Sequence, residues 1–445
     1  MFKKIAKNPA LSLILSFLIV IIIGSCFLKL PGSHTKELSW VDAFFTATSA
    51  TCVTGLIVKD TPVDFTLQGQ IIILLMIQLG GIGIMTFSMA FAVLLGKKLN
   101  FESKALINRM IDYDRPGYTV LILKKVLTVM IIFEIIGAIL LGIFFNINGV
   151  ENNLFFTSIF HSISAFCNAG FSTFSNSLAN FSNIISINLI IMILIITGGL
   201  GFFVIIEIYS FTKKKLTLAL FVRKLSVQVK IVLYVTIILI LTGTLLFFVL
   251  EKSNVLNNMS NLDKFIASLF QSVTTRTAGF NTINIGGLSR ATLLIFMVFM
   301  FVGAGPGGTA GGIKITTLYI FIKSVFSMVN SYPEVRAFGR KIPDDIVRKA
   351  TAVFFISIIL NFTAITLLCI TEDFELKDIM FETVSAFGTV GLSTGITPFL
   401  SDAGRIIIIL LMFVGRLGPV TLAIAISKQY NKSLYSLPEE KVMIG

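Results

Sequence analysis

Gly303, Gly305 and Gly308, in the stretch GAGPGGTAGGIK at 303–314, satisfy the G-x-G-x-x-G spacing of a phosphate cradle, with Lys314 close to where such a loop places its lysine. The chemistry would be anion binding: glycines let the backbone approach a pyrophosphate, and N–H groups at a helix start neutralise its charge. Two features oppose it. The lysine form needs Gly-Lys-Ser/Thr, whereas Ile313 separates Gly312 from Lys314. The dinucleotide form needs a strand before the glycines, inside a soluble βαβ unit, but the preceding LLIFMVFMFV reads as membrane helix. Nucleotide binding here is excluded, and Gly307, Gly311, Pro306 and their neighbours need another explanation.

A second set of small and polar residues recurs four times, at the ends of LSWVDAFFTATSATCVTGL, NLFFTSIFHSISAFCNAGF, LDKFIASLFQSVTTRTAGF and ELKDIMFETVSAFGTVGL. Aligned on Gly55, Gly170, Gly279 and Gly391, the column four residues earlier reads Thr51, Phe166, Thr275, Phe387. The column two residues earlier reads Val53, Asn168, Thr277, Thr389. Carbonyls of such turns, aimed inward in rings, can replace the hydration shell of a bare monovalent cation. Glycine at the last position permits backbone geometry that a β-carbon disfavours. The alternative is a structural re-entrant turn that meets no ion.

The elements that must position these turns are set by solvent. The chain is 55% hydrophobic and 13% charged over 445 residues, with 42 Phe, too little charge to cover a soluble protein. Eight apolar stretches are long enough to span a bilayer, at 9–30, 68–96, 119–145, 184–211, 226–250, 289–324, 346–370 and 402–428. The basic, apolar, Ile-Gly-Ser-Cys start looks like a lipoprotein signal, but its apolar run is too long, and it is read as a first membrane helix. Cys26, Cys52, Cys167 and Cys369 have no paired or metal-like spacing. Each successive pair of spans brackets one amphipathic half-length stretch and its turn, which predicts four repeats of helix, re-entrant half-helix, polar turn and helix. The fold class expected is an all-α polytopic membrane protein with eight transmembrane helices and four half-helices around one pseudo-fourfold pore. The segments are 1–8, repeats at 9–97, 98–212, 213–325 and 326–430, and a tail at 431–445.

Lys and Arg concentrate in 1–8, 97–118, 212–225, 325–345 and the tail, which places both termini in the cytoplasm. The basic excess is then a membrane skirt, and nucleic-acid binding is not its meaning. The acids Asp42, Asp60, Asp64, Glu372, Asp373 and Glu375 fall on the outer side, where they would concentrate cations. Breaks beginning at Gly80, Gly198, Gly303 and Gly415 follow the four turn glycines by 24 to 28 residues, so 303–314 is the enlarged third copy of a shared element. In the first two repeats such glycines could serve close helix packing alone. In the third, Pro306 and the glycines abandon the helix, and broken backbone at that depth must face protein or a cavity. The reading is a mobile intramembrane loop obstructing an ion path.

SATCVTGL, SAFCNAGFS, TTRTAGFNT and SAFGTVGLSTG, with GGIGIMTF, FVGAGPGGTAGGIK and FVGRLGP, resemble the Trk/Ktr/HKT superfamily of potassium translocation proteins. The likeness covers essentially the whole chain, and the short tail is similar to the KtrB type rather than the longer TrkH type. The resemblance implies a potassium selectivity filter at Thr51, Cys52, Val53, Thr54, Gly55; Phe166, Cys167, Asn168, Ala169, Gly170; Thr275, Arg276, Thr277, Ala278, Gly279; and Phe387, Gly388, Thr389, Val390, Gly391. It implies a gate made of Gly303, Gly305, Pro306, Gly307, Gly308, Gly311, Gly312, Lys314 and Arg416. It further implies a bacterial plasma-membrane homodimer, controlled by a cytosolic KtrA-like ring of RCK subunits that carries the nucleotide (ATP/ADP or NAD(H)). No cofactor is expected in this chain, potassium being cargo, and sodium dependence stays open.

Five further charges have bland and functional readings. Arg276 is expected to point behind the filter, with Glu382 as one partner, and Arg416 to face the path as barrier and gate contact or else to form a buried pair. Lys314 is expected to snorkel toward the cytoplasm. Glu134 reads as a helix–helix hydrogen bond ahead of an ion ligand, and Glu207 as interfacial. His161, in the column of Thr46, Phe270 and Glu382, reads as a packing or hydrogen-bonding residue. An enzyme would need convergent catalytic side chains, against which two histidines and no metal cluster count, and a secondary transporter would more typically show inverted repeats and midplane acids, against which the parallel repeats count.

Overall fold

The computed structural model describes residues 9–82, 118–150, 153–212 and 224–418. The N-terminus 1–8, the basic loop 97–117, most of the basic stretch after 212, and the tail lie outside them. The helices fall into four groups. The first is α1 (Pro9–Leu28), α2 (Trp40–Thr51) and α3 (Leu67–Gly81). The second is α4 (Tyr118–Ile147), α5 (Leu154–Phe166), α6 (Ile185–Leu200) and α7 (Phe202–Thr212). The third is α8 (Val227–Glu251), α9 (Asn261–Thr274), α10 (Arg290–Phe301) and α11 (Ile315–Val329). The fourth is α12 (Asp344–Thr371), α13 (Leu376–Gly388) and α14 (Asp402–Leu417).

Local sequence explains where these helices start. Ser39, Thr66, Ser226, Ser260, Ser289 and Ser401 cap six of them, each side-chain oxygen accepting a first-turn backbone N–H. Acids at two helix ends extend this capping. Glu251 accepts from the Ser289 amide at 3.0 Å and Glu372 from the Ser401 amide at 3.0 Å, so the end of α8 anchors the start of α10 and the end of α12 the start of α14.

Burial runs opposite to that of a soluble protein. The short helices α2, α5, α9 and α13 are the most enclosed, while α4, α8 and α12 expose rows of apolar side chains. Ile139 is 58% exposed, Leu241 63% and Phe362 71%, a surface that only hydrocarbon solvates at no cost. Each short helix packs on the long helix before it and on the second long helix of a neighbouring group: α5 on α3, α9 on α6, α13 on α10 and α2 on α14. The sequence 1–2–3–4–1 closes on itself.

The expected spans are not all single straight helices among the described residues. Among the described residues three single helices are long and apolar enough to cross: Lys124–Ile147, Val227–Glu251 and Asp344–Thr371. The expected span 184–211 is instead two helices bent by 93°. The cause is Gly201, whose φ of 95° and ψ of 142° suit only glycine, and whose β-carbon would stand 2.7 Å from the Pro306 carbonyl oxygen. The expected span 289–324 is interrupted between α10 and α11, at the glycine stretch 303–314 where the sequence reading has the helix abandoned. The expected spans 68–96 and 402–428 run past 82 and 418, outside the described residues. A two-residue hairpin, Arg336–Ala337 with Arg340–Lys341, departs from the all-α expectation. Phe338 (φ 48°) and Gly339 (φ 75°) supply the two left-handed positions such a turn requires.

Candidate functional site

Four turns follow the short helices, and each contains the same local contortion. Val53, Asn168, Thr277 and Thr389 adopt left-handed φ of 57°, 60°, 67° and 51°. For a side-chain-bearing residue this costs roughly 1–2 kcal/mol, so something must hold it. Backbone hydrogen bonds to the end of each helix do: Thr54 N–H to Ser49 O at 2.8 Å, Ala169 to Ser164 at 2.7 Å, Ala278 to Thr274 at 2.9 Å and Val390 to Ser385 at 2.8 Å. Side-chain hydroxyls add to this. Ser49, Ser164 and Thr274 donate to the carbonyls of Leu56 (2.7 Å), Phe171 (2.7 Å) and Phe280 (2.5 Å), and Ser385 Oγ accepts from Gly391 N–H at 3.2 Å. Sequence reasoning passed over these hydroxyls. Their signal is the column six residues before the glycine, which reads Ser49, Ser164, Val273, Ser385, with Thr274 substituting from the next position.

The glycines closing the turns interlock. A β-carbon on Gly55 would lie 2.5 Å from Ala169 O, on Gly170 2.8 Å from Ala278 O, on Gly279 2.5 Å from Val390 O, and on Gly391 2.2 Å from Thr54 O. Each glycine is thus seated against the next turn's penultimate carbonyl, and the fourth returns to the first. The hydroxyls of Thr51, Thr54, Thr277 and Thr389 are buried in these turns without a protein partner. Glycines of the helix ends approach the turns just as closely. A β-carbon on Gly80, Gly198 or Gly415 would come within 1.9, 1.8 or 1.9 Å of the carbonyl oxygen of Thr51, Phe166 or Phe387. Helix-on-helix packing does not account for these glycines; helix-on-turn packing does.

Residues 303–314 form a loop stitched to three neighbours. Gly303 N–H donates to Ile313 O (2.8 Å), Gly305 to Gly199 O (2.9 Å), Thr309 to Gly198 O (3.3 Å) and Gly312 to Gly415 O (3.3 Å), while Phe202 N–H donates to Gly307 O (3.2 Å). The amides a phosphate would need are engaged by carbonyls, which disposes of the cradle on geometry as well as on pattern. The glycines here also serve close approach. A β-carbon on Gly305 would meet Leu200 O at 2.3 Å and one on Gly311 would meet Thr389 Oγ1 at 2.2 Å. The loop therefore lies directly against the fourth turn, and mobility is not the sole reason for its composition. Gly307 and Gly312 add left-handed φ of 76° and 62°.

The charges sort as follows. Arg416, 2% exposed, donates from Nη1 to the Thr309 carbonyl in the loop and from Nη2 to the Gly80 carbonyl at the end of α3, tying three groups together without a carboxylate. Lys314 does not snorkel: its ammonium turns back onto the Ala310 carbonyl within the loop. Arg276 points away from the other turns, onto Thr236 Oγ1 of α8 at 3.2 Å. Glu382 is not its partner, because that carboxyl takes the hydroxyls of Ser393 and, at 2.9 Å, Thr397. His161 is fully enclosed, stacked on Phe174 at 4.8 Å and hydrogen-bonded through both nitrogens. Glu134 accepts from Gln78 Nε2 at 2.9 Å, a bond between α4 and α3. Glu207 holds the Ser226 amide (2.7 Å) and hydroxyl (2.9 Å) at the start of α8. Asp42 is bound to Arg405 at 2.7 Å and Lys59 at 3.7 Å, so it joins the first group to the fourth and does not act as a free anion.

Comparison with known proteins bears on this arrangement. The family model for TrkH cation transport proteins matches residues 4–436. The chain is 39% identical to Ktr system potassium uptake protein B of Bacillus subtilis (strain 168), over 100% of this chain and 98% of that protein. It is 37% identical to the protein of the same name from Vibrio alginolyticus, over 97% and 94%. It is 34% identical to potassium/sodium uptake protein NtpJ of Enterococcus hirae, over 100% and 99%. Among solved structures, the potassium transporter TrkH of Vibrio parahaemolyticus shares the fold, with a TM-score of 0.69 at 20% identity over 93% of this chain and 84% of that one.

Proposed function

This chain belongs to the TrkH family of cation transport proteins, and on that premise we propose that it is the ion-translocating subunit of a potassium uptake system of the Ktr type. Thr51–Gly55, Phe166–Gly170, Thr275–Gly279 and Phe387–Gly391 are its selectivity filter, contributed by four parallel repeats (9–97, 98–212, 213–325, 326–430) around one pore. The observation carrying this reading is the closed sequence of turns, each glycine against the next turn's carbonyl, with unpartnered threonine hydroxyls beside them. Such a ring of carbonyls and hydroxyls offers oxygen ligands without a fixed charge, which suits a monovalent ion that must also leave. Arg276 fits because its guanidinium is braced against α8, outside the ring.

The loop 303–314 is the gate in this reading. It packs against Thr389 of the fourth turn and is latched by Arg416. A fixed guanidinium beside the path opposes cation passage, and its two carbonyl contacts make latch and electrostatic barrier one device. Opening is assigned to a cytosolic nucleotide-binding RCK partner docking on the basic side, with this chain as a homodimer in the bacterial plasma membrane, both termini inside. Sodium dependence is the finer alternative favoured by the potassium/sodium name of the Enterococcus hirae relative. The test is growth of a potassium-uptake-deficient bacterium at low potassium, with this gene and its cytosolic partner. Rescue with rubidium uptake is expected, and absence of both at normal membrane abundance would defeat the assignment.

A further inference from the structure

His161 and Glu382 occupy the same place in the second and fourth groups, nine residues before Gly170 and Gly391. Their partners also match, Ser172 and Ser393 standing two residues after those glycines. His161 Nδ1 lies 2.8 Å from the Thr157 carbonyl, which can only accept a hydrogen bond, so Nδ1 carries the hydrogen, and in the neutral imidazole Nε2 then accepts from Ser172 Oγ at 3.0 Å. Glu382 accepts from Ser393 Oγ and from Thr397 Oγ1. Each serine oxygen in turn receives the amide two residues on: Phe174 N–H at 2.9 Å and Gly395 N–H at 2.8 Å. One construction thus appears twice: a buried side chain in the short helix, a serine hydroxyl and the chain leaving the turn.

Packing alone does not explain it. The third group places Phe270 in this column, fully buried, and fills the same position with no polar atom. There the link moves to the next residue, Gln271 Nε2 donating to Thr282 Oγ1 at 3.3 Å. An imidazole at 0% and a carboxyl at 1% exposure would be costly in such an interior without a hydrogen-bonding use.

We propose that His161 with Ser172 and Glu382 with Ser393 are matched positioning struts that fix the outer end of the filter on opposite sides of the ring and thereby set how strictly it separates potassium from sodium. The inference rests on the filter reading. Discrimination between two cations of equal charge depends on where the ligand oxygens are held, and the struts tie the segments just beyond Gly170 and Gly391 to the helices beneath them.

Four variants of the full chain test this in the uptake-deficient host with the partner present: Ser172→Ala, Ser393→Ala, His161→Gln and His161→Leu. The readout is inhibition of rubidium uptake by added potassium and by added sodium, with membrane abundance measured alongside. Ser172→Ala and Ser393→Ala should each narrow the potassium-over-sodium preference by about five- to tenfold, the value of one buried hydrogen bond. His161→Gln, whose amide oxygen can replace Nε2 as acceptor, should keep more of the preference than His161→Leu. Serine variants with wild-type preference at wild-type abundance, or with lowered abundance and unchanged preference, would overturn the struts while the filter stands. A wild-type chain that takes up rubidium without preferring potassium would overturn both.

Discussion

At Gly391 the backbone turns at φ 90° and a β-carbon would stand 2.2 Å from Thr54 O, so side chain and conformation conflict together. Gly391→Ala should therefore reduce rubidium uptake at least tenfold, the order expected when one ring of ligands is displaced by a misplaced carbonyl. Uptake equal to wild type at equal abundance would contradict the interlocked turns. Arg416→Ala should act in the opposite sense, raising uptake without the partner, because both carbonyl contacts and the buried charge go at once. What sequence alone disclosed at this scale was residue type under constraint: four glycines in register, an arginine at a helix break. It did not disclose partners. Glu382, at a helical position in the fourth short helix, is one partner expected for Arg276, yet the carboxyl bonds Ser393 and Thr397 while the guanidinium reaches Thr236, because which face of a helix a side chain leaves from is a property of packing. Lys314 departs from the expected snorkelling for a related reason: snorkelling assumes open lipid or water beside the ammonium, whereas the Ala310 carbonyl of its own loop lies within its reach.

Among the elements, the broken second helices carry the consequence. Gly201 bends α6 against α7 by 93° so that Phe202 N–H can meet Gly307 O and the loop can lie on the end of α6. Gly201→Ala brings a β-carbon to 2.7 Å from Pro306 O at a backbone angle alanine resists, and it should loosen the loop's seat. Deletion of 305–311 should loosen it further. Both variants are expected to raise rubidium flux and lessen dependence on the partner, the deletion more than the substitution; unchanged flux in both would remove the gate assignment and leave the filter. The alternation of long apolar runs with short amphipathic stretches was legible because hydrocarbon imposes a length and a polarity. The 93° bend was not, since GGLG is equally compatible with two helices packing closely, and only the position of Pro306 decides between them.

Taken whole, the molecule is a ring of four groups with lipid-facing rows outside and turns within. Its seam between the first and fourth groups carries the ion pair of Asp42 with Arg405, 5% and 18% exposed in their side chains, beside the Arg416 bond to the Gly80 carbonyl. Asp42→Asn should weaken that closure by about 1–3 kcal/mol, read as a lowered Tm in detergent, because a buried charge-assisted bond is lost and Arg405 keeps its charge. A variant as stable as wild type would mean that the helix contacts and the Arg416 bond to Gly80 close the ring without the ion pair. The outer acids were read as a cation-attracting field, and at Asp42 a structural role has taken that place. The central claim, a potassium-selective path through the four turns, is tested most directly by rubidium flux into proteoliposomes containing the purified chain and its cytosolic partner. Uptake suppressed by potassium but not by equal sodium is the result expected. Uptake suppressed equally by both ions, or flux no greater than in empty vesicles, would contradict it.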